Sequence, residues 1–250
     1  MLIQPQGVIQ NAGESWFLNP SLLAVNAFEI DIPGDLLDEL APLAAESRAM
    51  DENQGRYRLS NGVALYNERP LHWRSDICWL SHADEKAFNW FESIYDRLGV
   101  AALVAPFVPH DREIRLFAGF FVTRSKCDAL DMHCDWLTEQ SEAFTLMAPL
   151  TANASEMGMT YDSVLGNQRD LTYRLGKGLV FGPKFNHSTA IGRLDERAVF
   201  LCFNFGTDRM DNWQQISRTT ATQCDLLRQP DGSFISHAEW RERYGKAKAC

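Results

Sequence analysis

The hydrophobic period of this chain changes near Pro109, and no other feature restricts its fold so strongly. Before that point apolar residues recur at helical spacing. Gly34–Met50 brings Leu36, Leu37, Leu40, Leu43 and Ala44 onto one helical face, with Pro42 inside it as a kink or an early end. Ser81 to about Val104 reads as a second helix. In it Ser81 is the N-cap, Asp84 and Glu85 lie in the first turn, and Phe88, Phe91, Ile94, Tyr95 and Leu98 form the apolar stripe. Beyond Pro109 the period becomes two. Arg112–Ser125 (REIRLFAGFFVTRS) is one long β-like run, followed by Phe144–Thr151, Met159–Tyr161, Leu171–Leu175, Leu179–Phe181 and Arg197–Phe205. Gly and Asn/Asp turn signals separate these runs. So dense a series of short strands implies a β-barrel or double-sheet jelly roll, with the N-terminal helices packed on its outside.

No internal repeat, low-complexity tract or Gly/Ser linker divides the 250 residues, which read as a single domain. Within it, 1–108 is a helical support region, 109–208 the β core and 209–250 a C-terminal extension ending in a short polar helix that frays into a basic tail. Lys and Arg total 24 against 33 Asp and Glu, a net charge of −9. That balance argues against nucleic acid or an anionic membrane as partner, since both demand a basic surface. No apolar run approaches the roughly 18 residues of a spanning helix, and the first residues lack the pattern of a signal peptide. Six scattered cysteines without a C-x-x-C pair read as reduced thiols, so a cytoplasmic location is expected. Nucleophile-elbow, phosphate-loop, dinucleotide and H-E-x-x-H motifs do not occur.

The segment Asp131–Trp136 (DMHCDW) carries the chemistry. On a strand, His133 and Asp135 project to the same face, and an imidazole beside a carboxylate supplies two adjacent ligands to an octahedral metal. Alone the signal is weak, because an H-x-D triplet is a common accident. A second segment, Gly178–Thr189 (GLVFGPKFNHST), strengthens it by bringing His187 in on a distant strand. His133, Asp135 and His187 then form the two-histidine, one-carboxylate facial triad of non-haem Fe(II) oxygenases, three positions staying open. Arg197, ten residues further on, opens the run RAVFLCFNF. Pointing inward it needs an anion, and it is placed to hold a dicarboxylate by a bidentate pair. Thr189 shares the face of His187 and can offer its hydroxyl to the same anion. Trp136 has two readings, as lining of the cavity mouth or as packing on the outer sheet surface. Arg115 alternates with Phe117, Gly119 and Phe121, as a contact for an acidic substrate group or as a strand-end arginine in solvent. His72, His82, His110 and His237 sit in polar or loop-like contexts and receive no role. Cys134 and Cys202 read as small buried hydrophobes.

The order and spacing of His133, Asp135, Gly178, Phe181, His187 and Arg197 resemble the Fe(II)/2-oxoglutarate-dependent oxygenases, with the phytanoyl-CoA and prolyl hydroxylase-like branches nearest. The resemblance spans roughly Arg112–Phe205 and implies a mainly β fold with flanking helices around a double-stranded β-helix (jelly-roll, cupin-like) core. It implies Fe(II), 2-oxoglutarate as cosubstrate, and O2. The outcome would be hydroxylation, desaturation or oxidative cyclisation of a small-molecule or amino-acid-like substrate, with release of succinate and CO2. Asp135 disfavours halogenation, because halogenases of this group have Gly or Ala there to admit chloride. Two alternatives stay open: a cupin-like metal- or small-ligand-binding jelly roll without oxygen chemistry, and an Fe(II) oxygenase that does not use 2-oxoglutarate.

Overall fold

The computed structural model describes residues 22, 25–50, 55–68 and 76–245. His72, Cys250 and the basic end that follows Gly245 lie outside them. The chain runs β1 (Ala27–Asp31), α1 (Gly34–Arg48), β2 (Gly55–Arg58), β3 (Ala64–Glu68), β4 (Cys78–His82), α2 (Glu85–Leu98), α3 (Val100–Val104) and β5 (Arg115–Cys127). It continues with β6 (Ala143–Pro149), a 3-10 turn (Ala152–Glu156), β7 (Met159–Asp162), β8 (Gln168–Leu171), β9 (Lys177–Phe181), β10 (His187–Thr189) and β11 (Gly192–Gly206). Last come α4 (Trp213–Gln223), β12 (Leu226–Arg228), β13 (Phe234–Ser236) and α5 (His237–Tyr244).

Two antiparallel sheets face each other. The larger has strand order β1-β9-β6-β11-β5-β4-β3-β2, and the smaller has β10-β7-β8. Each strand of the large sheet presents alternate side chains to opposite faces. On one face Phe121, Phe203 and Leu146 pack with Leu36 and Leu40 of α1 and Phe88 and Phe91 of α2. On the other, Phe120, Val122, Phe181 and Phe200 pack with Met159, Tyr161 and Tyr173 from the small sheet or its margin. The cavity that contains the site opens between the two sheets, and α1 and α2 back it without lining it.

The N-terminal region is more than a helical support. AFEID becomes edge strand β1 against β9, and β4 pairs with β5 to carry β3 and β2 onto the far edge. The second helix begins later than its stripe suggests, because Ser81 is drawn into β4 by its pairing with Phe120. Asp84 is the N-cap instead, its carboxylate accepting from the Ala87 N–H at 2.8 Å. Gly99, at φ 61°, ends that helix in the left-handed conformation favoured by glycine. Pro42 is accommodated within α1. At the C-terminus a capping box from Ser236 and Glu239 starts α5.

Candidate metal centre and active site

His133 and His187 are tied together by backbone. His133 N–H donates to His187 O and His187 N–H donates to His133 O, each at 2.9 Å, an isolated antiparallel bridge. His133 is the only part of DMHCDW that pairs in this way, so the segment is an irregular loop rather than the expected strand. It nevertheless brings Asp135 Oδ1 to 3.4 Å from His133 Nε2 and 3.8 Å from His187 Nε2. All three donor atoms lie within 4.8 Å of one another. Donors that share an ion at about 2.1 Å stand at most about 4.2 Å apart. Both Asp135 pairs are already inside that limit, and a set spread over up to 4.8 Å closes slightly when it takes one ion.

Each ligand is aimed by a second contact. His133 Nδ1 lies 2.6 Å from Asp131 O and His187 Nδ1 lies 3.0 Å from Phe185 O. A carbonyl only accepts, so each Nδ1 carries a hydrogen and each Nε2 is turned to the centre. Thr145 donates its hydroxyl to Asp135 Oδ2 at 3.0 Å and accepts from Trp136 Nε1 at 3.1 Å. Oδ1 is thereby the carboxylate oxygen turned to the histidines. Thr219, on α4, donates to the Asp135 carbonyl.

Electrostatically the three groups behave as a unit. Burial opposes charge on His133, but the hydrogen bond and charge of Asp135 outweigh it and raise the imidazole to about 9. Burial also opposes ionisation of Asp135, and there the His133 hydrogen bond and the charges of both histidines prevail, holding the carboxyl below its ordinary range. Burial dominates at His187 and pushes its imidazole down. An ionised carboxylate beside one imidazolium is the charge arrangement that a divalent cation can take over, releasing a proton.

The triad lies at the wall of a cavity of about 500 Å³, measured as space between atoms and including its open side. Arg124 also lines this cavity, and it is the residue that sequence reasoning missed. Its side chain is 3% exposed on β5, donates to the Thr189 hydroxyl and to Tyr173 OH at 3.4 Å, and stacks 4.7 Å above the Phe200 ring. None of these partners is an anion. A buried guanidinium held only by neutral groups is costly unless a negative ligand joins it. Its signal was present in the sequence: Phe120, Val122 and Arg124 alternate along the run that also contains Arg115.

Arg197, expected in that role, does not reach the cavity. The β11 register slips between Arg193, opposite Lys126, and Ala198, opposite Arg124, leaving Leu194–Arg197 across from Ser125. This bulge turns Arg197 to the face of Thr123 and Cys78, where it donates to Thr123 Oγ1 at 3.0 Å and lies 3.4 Å from Asp76 Oδ2. Trp136 is 1% exposed and does not line the cavity; it packs with Phe117 and Ala143 of the large sheet, beneath Trp213 and Ile216 of α4, in keeping with the second of its two readings. Its contact with the centre runs through Thr145. Arg115 is 8% exposed, ion-paired with Glu113 and beside Gly232, far along β5 from Arg124. Its expected neighbours Gly119 and Phe121 face α2 instead of the cavity, as the contact of Gly119 with Phe91 shows. Thr189 does line the cavity, beside Arg124. His82 is fully buried, with Nδ1 3.1 Å from Gly119 O, rather than at the surface. Gln223, at the end of α4, is a further lining residue that lay outside the expected β core.

No protein-family model matches the chain, and no curated protein matches it by sequence. Solved structures do. The non-haem alpha-ketoglutarate-dependent epimerase SnoN of nogalamycin biosynthesis aligns at TM-score 0.52 and 11% identity, over 82% of this chain and 85% of its own. The non-haem alpha-ketoglutarate-dependent carbocyclase SnoK of the same biosynthesis aligns at 0.53 and 11%, with the same coverage. A SnoN complex with Fe3+, alpha-ketoglutarate and nogalamycin RO aligns at 0.52, again with 11% identity and coverage of 82% and 85%. The fold is that of the Fe(II)/2-oxoglutarate oxygenases. In this double-stranded β-helix the cavity between the sheets contains the His–Asp–His cluster.

Proposed function

We propose that this protein is an Fe(II)- and 2-oxoglutarate-dependent oxygenase that hydroxylates, desaturates or oxidatively cyclises a small molecule. The observation that carries this reading is the pairing, in one cavity, of the triad with a buried arginine that has no carboxylate partner among the described residues. A metal-only jelly roll has no use for such an arginine.

His133, Asp135 and His187 are the residues that would hold Fe(II), and the donor set of two imidazoles and one carboxylate suits that ion. Arg124 would take the distal carboxylate of 2-oxoglutarate by a charge-assisted pair, with Thr189 beside it. With Fe(II), 2-oxoglutarate and dioxygen bound, the chemistry supplied is oxidative decarboxylation to succinate and CO2 coupled to oxidation of a substrate C–H bond. The chain's own work is positional. Thr145 and Trp136 hold Asp135, the two backbone carbonyls hold the imidazoles, and Phe200 and Tyr173 hold Arg124. As for location, no described helix is long and apolar enough to cross a membrane.

The test is anaerobic addition of Fe(II) and then 2-oxoglutarate, followed in the visible for the charge-transfer band of a keto-acid chelate. The band is expected in the native protein and absent in His187→Ala. Iron binding without a band overturns the 2-oxoglutarate assignment, and absence of metal binding overturns the whole reading.

A further inference from the structure

The lining of the cavity is almost fully accounted for. Its charged groups are the triad and Arg124, which the oxygenase reading assigns to metal and cosubstrate. Among the other polar groups, Thr189 is engaged by Arg124, and Thr145 spends its hydrogen on Asp135 and its lone pair on Trp136. Burial pushes the Cys202 thiol far up, so it stays neutral. Ile77, Trp79, Phe120 and Val122 form an apolar wall on the β4–β5 side of the large sheet.

Gln223 is the exception. It is 8% exposed, and Asn204, fully buried on β11, donates its Nδ2 to Gln223 Oε1 at 2.5 Å. In this arrangement Oε1 is the occupied end of the amide. Nε2 remains a donor without a partner among the described residues, on a side chain that lines the cavity. This donor is open to the cavity and is not sealed in the core, and a ligand that covers it without accepting from it leaves it unpaired at a cost, so such a group selects a ligand that satisfies it.

We propose that Gln223 is a specificity-determining residue. The part of the substrate that enters this cavity is uncharged and largely apolar, and one carbonyl or ether-type oxygen accepts from Gln223 Nε2 while the hydrocarbon body lies on Ile77 and Trp79. An ammonium or carboxylate on the same body has no counter-charge left in the cavity, and burying it there is disfavoured. This goes against an amino-acid-like zwitterion as the group bound. It rests on the oxygenase reading for the occupation of the triad and Arg124, but not for the role of Gln223.

Four probes of matched shape test it by ligand-observed NMR on protein loaded with Ni(II) and 2-oxoglutarate: 2-acetylnaphthalene, 2-ethylnaphthalene, 2-naphthoate and 2-naphthylmethylammonium. The ketone is expected to bind at least about tenfold more tightly than either charged probe. Gln223→Leu should weaken the ketone about five- to tenfold and leave the hydrocarbon within about twofold. Equal or tighter binding of a charged probe overturns the proposal, and so does an equal loss of ketone and hydrocarbon in the variant. Gln223→Met, with melting temperature checked, replaces Gln223→Leu if the latter does not fold. Calorimetry on the same samples reads Ni(II) and 2-oxoglutarate binding separately. If that binding fails, the oxygenase reading falls, while the ketone-to-hydrocarbon ratio, which needs neither, still decides the role of Gln223.

Discussion

Replacing Arg124 by methionine separates a ligand-binding arginine from a structural one, because the two roles predict opposite signs. The guanidinium is 3% exposed, and its hydrogen-bond partners are the hydroxyls of Thr189 and Tyr173. If it exists to meet a carboxylate, deleting it leaves that carboxylate buried and unpaired, a loss of about 2–5 kcal/mol or some thirtyfold to several-thousandfold in 2-oxoglutarate affinity. In the ligand-free protein the same change removes a desolvated charge and fills its place with an apolar chain of similar reach. Stability should then hold or rise by about 1–2 kcal/mol, roughly 2–8 °C in melting temperature for a domain of this size. Arg197→Met should do the reverse. Its guanidinium faces Asp76, whose carboxyl lies below the ordinary range although burial opposes ionisation, because Ser125, Lys126 and Arg197 stabilise the charge. Losing Arg197 exposes that buried carboxylate to its desolvation cost, about 3 kcal/mol, with 2-oxoglutarate affinity unchanged. Thermal unfolding with and without 2-oxoglutarate, plus calorimetric titration in the presence of Ni(II), measures all four quantities. An Arg124→Met protein that melts lower and binds 2-oxoglutarate normally would refute the assignment of this cavity corner.

Thr145→Val keeps shape but strands Asp135 Oδ2 and Trp136 Nε1, and metal affinity measured by calorimetry should fall about 10- to 100-fold; unchanged affinity would show that Thr145 does not orient the ligand. His82 is fully buried, and burial lowers its imidazole from 6.5 to about 4. The unfolded chain therefore binds more protons between these values, so stability is unaffected above pH 6.5 and falls as pH drops, the loss reaching about 3 kcal/mol near pH 4 and levelling below it. Urea unfolding across that window should show this slope in the native protein, and subtracting the profile of His82→Asn should isolate it; parallel profiles would mean His82 is not buried neutral. In Gly119→Ala the new Cβ would stand 2.4 Å from Phe91 Cβ, near the root of a helix side chain that cannot swing away. A loss of about 1–3 kcal/mol is expected by denaturant titration, and a neutral result would show that α2 is free to shift from the sheet.

The local chemistry of the chain was legible before any coordinates. The switch of period near Pro109, the turn residues between strands, and the spacing of His133, Asp135 and His187 follow from side-chain alternation and backbone preferences, properties of residues close in sequence. Hence the mainly β core, α1, the stripe of α2 and the three candidate ligands could be read directly. What alternation cannot say is which of a strand's two faces looks into the cavity, since both faces of this sheet are apolar and buried, one under helices and one under the small sheet. Arg124 and Arg115 lie in the same run, and only the packing of α2 on Gly119 assigns the face of Phe120 and Val122 to the cavity. Arg197 was misplaced for a related reason. Its role rested on its place ten residues past His187 and on its pointing inward, and the bulge at Leu194–Arg197 redirects it toward Asp76, a residue 121 positions away in sequence whose contact no spacing could foretell. The same limit hid Gln223, which reaches the cavity only because α4 packs back over the end of the core. The sequence by itself determined which residue types were available as ligands, whereas the tertiary structure decided which charges were left buried without a partner.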